Sequence, residues 1–496
     1  MDFKGKKVTV MGLGLHGGGV ACVSWLIKHG AEVTVTDLKT KQELKPSLSK
    51  LTNLPVSSGV ERPTCKLVLG RHRQVDFKTA DLVVQNPGVP RNSQYLKVAK
   101  KAGVPIENDA SLFFKNCPGQ IIGVTGTRGK STTATLIYEL LKNYSSAKLV
   151  LASELRQYLS QARNVWLAGL PGQPMMGILD QVKAGDIVVL ELSSWQLEVL
   201  GQKKISPHLA VLTNIYPDHL NRYSSMAAYI AAKKNIFLWQ NHDDLAILNW
   251  DNPAAKKIGR PVASQLFWFS KKYLSEQNGC FIGNNHVFFR RDNQVTKVVS
   301  LEGIKLIGEH NLENILAAVT VAGLYQVSPE KVKLVLTSFS GLPGRLKPVG
   351  IYSGRNYIND TTATIPDATM AALRTFSSGL RVQDPELKNI VLIAGGASKN
   401  IPRIKYQQLA RLIKQKCKAV ILFSGAGSDQ LLSQLKKIRF KPLTARVAEM
   451  AEAVSLAKSF SKKGDLILLS PACASFGLFV NEFDRGDQFE MMVKKI

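Results

Sequence analysis

The octapeptide Thr125-Gly126-Thr127-Arg128-Gly129-Lys130-Ser131-Thr132 constrains this chain more than any other stretch. It follows the apolar run Ile121-Ile122-Gly123-Val124 and precedes Ala134-Thr135-Leu136-Ile137, which reads as an amphipathic helix. A strand, a glycine turn and a helix N-terminus in that order make a phosphate cradle, because glycines let backbone N–H groups converge on phosphate oxygens. Lys130 supplies a point charge to the β- and γ-phosphates, and the hydroxyl of Ser131 or Thr132 can ligate Mg²⁺. A strict P-loop would have glycine where Val124 stands. The alternative, a plain glycine-rich strand–helix turn, accounts less well for eight such residues in this context.

The central part of the chain offers partners for the cradle. Asp186-Ile187-Val188-Val189-Leu190-Glu191 reads as a buried strand that delivers a carboxylate at its C-terminal tip, where P-loop proteins hold Mg²⁺ directly or through water. Another strand, Leu209–Leu212, runs into Thr213-Asn214-Ile215-Tyr216-Pro217-Asp218-His219, so His219 lies on a loop beside the same sheet edge. A helix is expected over Met226–Trp239. Its Lys233 and Lys234 point about 100° apart, so only one of them can face a site.

The N-terminal part opens with the strand Lys7–Met11, the glycine-rich Gly12-Leu13-Gly14-Leu15-His16-Gly17-Gly18-Gly19, a helix over Ala21–His29, and a second strand, Glu32–Thr36, ending at Asp37. Glycines at a strand–helix turn with an acid about twenty residues on make a Rossmann-like opening that suits any diphosphate ligand. A strand at Leu82-Val83-Val84 leads into the loop Asn86-Pro87-Gly88-Val89-Pro90. In the C-terminal part, strands at Ile390–Ala394, Ala419–Phe423 and Leu466–Leu469 with helices between them, such as Ile404–Lys416, imply another parallel α/β domain. Gly341-Leu342-Pro343-Gly344-Arg345 has the composition of a hinge. The expected architecture is α/β throughout, in three domains over 1–108, 109–341 and 342–496 of the 496 residues.

Apolar residues make up 45% and charged residues 21% of the chain, and no window of about twenty apolar residues suggests a membrane helix. The six cysteines are far apart and form no C-x-x-C pair, which argues against a zinc site or a disulfide framework and for a reducing, cytoplasmic setting. The formal charge of +28 would attract anions, yet Lys and Arg are dispersed, with no basic stripe interleaved with aromatics. No nucleic-acid partner and no integral membrane association are expected, and a monomer is.

Together these stretches resemble the Mur ligases, ATP-dependent amino-acid ligases of peptidoglycan precursor synthesis. The resemblance runs through the cradle, Glu191–Glu198, Asp218–Tyr223, Gly308-Glu309-His310-Asn311-Leu312-Glu313-Asn314, Asn359–Thr364 and Leu469–Ser475. The last of these and the GKST form of the cradle favour the D-glutamate-adding branch, whose substrates are UDP-N-acetylmuramoyl-L-alanine, D-glutamate and ATP. The first domain would then be a Rossmann-like fold that binds UDP, the central domain a P-loop ATPase fold, and the third a Rossmann-like domain for the amino acid. The resemblance assigns catalysis to Lys130, Glu191, His219 and Lys233. It gives the metal shell to Ser131, Glu191, His219 and a carbamylated Lys233, since an ordinary ammonium would be repelled by Mg²⁺. ATP would be held by Gly126, Thr127, Gly129, Lys130, Ser131, Thr132, Asn311, Asn314, Arg345 and Asp360. The UDP substrate would meet Gly14, Leu15, His16, Asp37, Gly88, Ser193 and Gln196; the amino acid would meet Thr364, Lys399, Ser475 and Phe483.

The sequence departs from that family pattern in places. Arg128 replaces the usual Asn in the cradle, removing an amide near the carboxyl substrate and adding charge; it either assists the anions or points away. Thr362 stands where relatives often have Lys, Gly344 replaces a His, and Gly169-Leu170-Pro171-Gly172 lacks the Asn of a sugar-nucleotide loop. A sibling ligase adding another amino acid, a nucleic-acid-stimulated P-loop ATPase and a non-catalytic UDP-sugar sensor are the rival readings.

Overall fold

Short β-branched runs dictate the first sheet. The computed structural model describes the whole chain apart from residues 53–64, 91, 143–163, 221, 261, 307, 377–388, 442 and 496; Asn221 of the Asp218–Tyr223 motif is therefore outside the described residues. Strands β1 (Lys7–Met11), β2 (Glu32–Asp37), β3 (Cys65–Leu69), β4 (Leu82–Gln85) and β5 (Ile106–Glu107) pair in parallel in the order β3-β2-β1-β4-β5. The alternating residues Val8, Val10, Val33, Val35 and Val84 are buried in one cluster with Val23 and Leu26 of the helix Gly18–Lys28. Each such side chain contributes about 1.5–3 kcal/mol on burial. The connection reverses direction between β1 and β4, which opens a crevice at their C-terminal ends.

The second sheet comprises β6 (Gln120–Thr125), β7 (Val165–Ala168), β8 (Ile187–Glu191), β9 (Leu209–Leu212), β10 (Leu245–Asn249), β11 (Gln265–Ser270), β12 (Gly279–Gly283), β13 (His286–Arg291) and β14 (Gln294–Ser300). Their order is β14-β13-β12-β11-β10-β9-β6-β8-β7. Strands β7 to β12 are parallel, and the near-continuous apolar runs of β8, β9 and β10 are those of strands covered on both faces. The β12–β13–β14 meander is antiparallel and was not legible in the sequence. The helix expected over Met226–Trp239 stops at Lys234, and the residues after it run as turns.

The third sheet holds β15 (Lys347–Tyr352), β16 (Arg355–Asn359), β17 (Ile390–Gly395), β18 (Cys417–Phe423), β19 (Leu443–Val447) and β20 (Leu466–Leu469), in the order β15-β16-β20-β17-β18-β19. It is parallel except that β15 pairs antiparallel with β16 at the edge. The purely parallel expectation for this sheet is therefore corrected at β15, whose partly exposed residues and Gly350 bulge carry no buried-strand signal.

Contacts group the chain into two compact units, Met1–Leu301 with Glu313–Val335, and Glu302–Leu312 with Leu336–Ile496. The first two sheets share the first unit. Trp25 Nε1 donates to Asp180 Oδ1 at 2.7 Å, and Arg222 Nη1 donates to the Pro87 carbonyl at 3.0 Å, so polar bonds fix one sheet on the other beside the common apolar core.

Candidate active site

Sheet order places the cradle. Because β6 lies between β9 and β8, the loop after it is flanked by whatever those two strands deliver at their C-terminal ends. Gly129 has φ 80°, and a Cβ there would come 2.0 Å from Asn314 Oδ1, so only glycine fits the turn. The helix Lys130–Leu141 then starts with no side-chain cap, the arrangement that suits an anion at a helix N-terminus. The loop backbone is held from β9's exit: Thr127 N–H donates to the Asn214 carbonyl and Arg128 N–H to Asn214 Oδ1, both at 2.9 Å, and Thr213 Oγ1 donates to the Arg128 carbonyl at 2.6 Å.

Five sequence-predicted residues gather here. β8 carries Glu191, whose Oε2 accepts from Ser131 Oγ at 2.6 Å and whose Oε1 is 3.9 Å from Lys130 Nζ. Thr132 is buried one position further along the helix. Lys233 is 2% exposed, whereas its neighbour Lys234 is only partly buried. Lys233 Nζ donates to the Gly126 carbonyl at 2.8 Å and sits 4.9 Å from the centre of the Tyr229 ring. Burial pushes the Lys233 amine well below the usual lysine range; the Lys130 and Arg128 cations act in the same direction, against Asp218 and Glu191.

His219 follows β9 with φ 54°, its ring 5.4 Å from Trp195 and 6.3 Å from Tyr229. Its Nε2 is 3.7 Å from Asp218 Oδ2. Asn314 accepts from Thr133 Oγ1 at 3.3 Å and so packs on the cradle helix. Among the described residues no three His, Cys, Asp or Glu side chains converge as a metal cage. The adjacent Ser131 hydroxyl and Glu191 carboxylate nevertheless form the sparse oxygen donor set that suits Mg²⁺, which takes one or two protein oxygens and completes its shell with water and phosphate.

The other predicted residues of the first unit lie on the loops after β1 and β4, at the tip of β2 and at the start of the helix after β8. Gly14 lies on the glycine loop, with Leu15 and His16 exposed beyond it, and Gly88 is exposed on the loop after β4. Asp37, at the tip of β2, spends its carboxylate on that loop: Oδ2 accepts from Leu13 N–H at 2.8 Å and from Gly14 N–H at 3.2 Å. Ser193 and Gln196 form a reciprocal capping box at the start of the helix Ser194–Gln202, and Gln196 Nε2 donates to Asp109 Oδ2 at 2.9 Å.

In the second unit the C-terminal ends of β16, β17 and β20 meet. Lys399 Nζ donates to Thr364 Oγ1 at 2.8 Å. Ala397 and Ala474 exchange backbone hydrogen bonds, which bring the loop carrying Lys399 beside buried Ser475. Phe483 lies partly buried in the first turn of the helix Glu482–Lys494. Asn311 is buried in the first turn of the helix Glu309–Leu324. Arg345 stands next to Leu346, whose N–H donates to Asp360 Oδ1 at 3.2 Å, and Ser470 Oγ donates to Asp360 Oδ2 at 2.8 Å.

Burial pushes the Asp360 carboxyl up to about 7, against the two hydrogen bonds and the Arg345 charge. Between the unfolded carboxylate value, about 3.9, and that raised value, the folded protein holds a proton that the unfolded chain has lost. Stability conferred by the neutral acid therefore falls as pH rises through that window and is gone above it. Asp360→Asn is expected to flatten this slope and to exceed the parent above pH 7 by up to about 4 kcal/mol. Urea unfolding at pH 5 and pH 8 measures it; parallel pH profiles for the two proteins would contradict the assignment.

Several contributors escaped the sequence reading. Asn214 and Thr213 hold the cradle, but their proximity to it exists only because β6 pairs with β9. Arg222 reaches the loop after β4 and stacks 4.4 Å from the Trp195 ring centre. Arg485 is fully buried and ties the Asp360 loop to the loop after β20, donating to the Thr361 carbonyl at 2.8 Å and the Cys473 carbonyl at 3.2 Å. The available signal for it was Gly486, a glycine inside a helix: a Cβ there would lie 2.7 Å from Thr361 Cγ2.

Comparison with known proteins extends the same pattern over the whole chain. Residues 6–108 match the Mur ligase MurD-like N-terminal domain, 124–322 the Mur ligase middle domain, and 344–473 the Mur ligase glutamate ligase domain. The UDP-N-acetylmuramoylalanine–D-glutamate ligase of Roseiflexus sp. (strain RS-1) is 38% identical over 100% of this chain and 99% of its own length. The enzyme of the same name from Koribacter versatilis is 33% identical over 100% and 99%. Among solved structures, UDP-N-acetylmuramate-alanine ligase MurC from Thermotoga maritima covers 99% of both chains with a TM-score of 0.59 at 18% identity, a likeness of fold. With three domain types matched in order and full-length relatives above 30% identity, the chain belongs to the Mur ligase family.

Proposed function

We propose that this chain joins D-glutamate to UDP-N-acetylmuramoyl-L-alanine at the expense of ATP, in peptidoglycan precursor synthesis. The observation that carries the reading is the grouping of Lys130, Ser131, Glu191 and Lys233 around one glycine turn, in a chain whose full-length relatives bear that ligase name. A carboxylate is a poor electrophile and hydroxide a poor leaving group, so the acid must first be activated. A carboxylate oxygen of the UDP substrate would attack the γ-phosphorus of ATP, the bond to the β,γ-bridging oxygen would break, and ADP would leave. The amino nitrogen of D-glutamate would then attack the acyl carbon, expelling inorganic phosphate and losing a proton.

Bringing two anions together is the obstacle. Lys130 and the backbone N–H groups at the helix start would bind the phosphates and hold them in line. Ser131, Glu191, His219 and a carbamylated Lys233 would hold Mg²⁺, which supplies charge neutralisation at the phosphates when bound. The buried, neutral-leaning amine of Lys233 supports the carbamate: only an uncharged amine adds CO₂. Gly14, Leu15, His16, Asp37, Gly88, Ser193 and Gln196 would take the UDP substrate. Asn311, Asn314, Arg345 and Asp360 would take the nucleoside and phosphates of ATP, and Thr364, Lys399, Ser475 and Phe483 the amino acid. The three functional domains are taken as 1–108, 109–341 and 342–496. No helix among the described residues is long and apolar enough to cross a membrane; the reading places the chain in the cytoplasm, acting as a monomer.

A phosphate-release assay with ATP, Mg²⁺, UDP-N-acetylmuramoyl-L-alanine and a panel of D- and L-amino acids tests this. Turnover is expected with D-glutamate and with no other member of the panel. Preference for a different amino acid would reassign the acceptor, and turnover stimulated by DNA or RNA instead would overturn the ligase reading.

A further inference from the structure

We propose that Arg128 is a catalytic residue: its guanidinium binds the phosphoryl group in transit between ATP and the substrate carboxylate, as an arginine finger supplied from within the cradle itself. This rests on the ligase reading above.

The argument starts from what the side chain does not do. Every bond that fixes position 128 comes from its backbone, whose N–H is held by Asn214 Oδ1 and whose carbonyl is held by Thr213 Oγ1 and Asn214 Nδ2. The guanidinium is not needed to shape the loop. It carries five N–H donors, yet among the described residues its one ion-pair partner is Asp218, at 3.4 Å from Nη1. Nη2 is buried with no acceptor among the described residues. A buried guanidinium nitrogen without an acceptor is costly unless an anion comes to it.

Its direction settles where that anion lies. Asp218 precedes His219 and its Oδ1 accepts the His219 N–H at 2.9 Å, so the guanidinium points along the exit of β9 rather than away from the cradle. Lys130 leans the other way, toward Glu191 at the tip of β8. With β6 between β9 and β8, the two cations bracket the glycine turn from its two flanking strands. With ATP held on the Lys130 side and the acceptor carboxylate on the His219 side, the phosphoryl group in transit would lie between them. A planar fork matches two phosphoryl oxygens at once, which neither an amide nor an ammonium does.

The test is steady-state kinetics on the full chain with ATP, UDP-N-acetylmuramoyl-L-alanine and D-glutamate. Wild-type turnover that needs all three substrates establishes the ligase reading independently of Arg128. Arg128→Ala is expected to lose about 10²-fold or more in kcat, with KM for each substrate within about three-fold. Arg128→Lys keeps the charge without the fork and is expected to fall between the two. Guanidinium ion at non-denaturing concentration is expected to raise the turnover of Arg128→Ala and not that of wild type. The proposal fails if both variants keep kcat within about three-fold of wild type. It fails equally if only KM for the UDP substrate rises, or if guanidinium restores nothing.

Discussion

Lys130→Ala is expected to abolish ligation, lowering kcat/KM by about 10³-fold or more. Lys130 opens the helix Lys130–Leu141 and its ammonium stands 3.9 Å from Glu191 Oε1, the carboxylate proposed to face the metal. Removing the cation leaves Glu191 and the phosphates as uncompensated like charges in a partly buried cleft, where screening by water is weak. The fold should survive. Gly129 still caps the helix, and the Gly129 carbonyl still accepts the Thr133 N–H at 2.9 Å. Phosphate release in the presence of all substrates, with a thermal melt as control for folding, reads the outcome; turnover within about ten-fold of the parent would contradict the cradle's role.

Lys233→Ala is expected to be nearly inactive, and a small carboxylate such as acetate is expected to restore part of the turnover. The side chain is 2% exposed, and its amine is driven toward the neutral form, chiefly by burial. A neutral amine adds CO₂ to give an N-carboxylate and releases one proton. The carbamate nitrogen keeps one N–H, so the bond to the Gly126 carbonyl, 2.8 Å in this structure, can persist after modification. Intact-protein and peptide mass spectrometry under bicarbonate should find the added mass of one CO₂ on Lys233. Lys234→Ala, on the more exposed neighbour, should leave activity unchanged. Absence of both the added mass and the acetate rescue would remove the carbamate from the mechanism.

The division between sequence and fold runs along a physical line. Apolar runs and glycine punctuation are local properties, and they gave β1, β6, β8, β9 and β20 to within a residue or two. The cradle's composition likewise implied its anion site before any coordinates, since glycine turns and helix N-termini bind phosphate through the backbone. The two-residue β5 and the partly exposed β15 carry weak apolar signals and were missed; so were β3, β7, β10, β11, β16, β19 and the β12–β14 meander, although the runs of β10, β11 and β13 are apolar. The helix expected to reach Trp239 ends at Lys234 because the apolar residues after it run as turns.

What no local pattern could fix is where polar side chains point. Asn214 holds the cradle because β9 lies beside β6, and Arg222 reaches Pro87 across 135 residues of sequence. The direction of Arg128, left open by the sequence, is set by Asp218, 90 residues away by number and 3.4 Å away in space. A strand or a glycine turn is specified by its own residues. The partner of a charged side chain is specified by sheet order, and sheet order arises from burial summed over the whole domain.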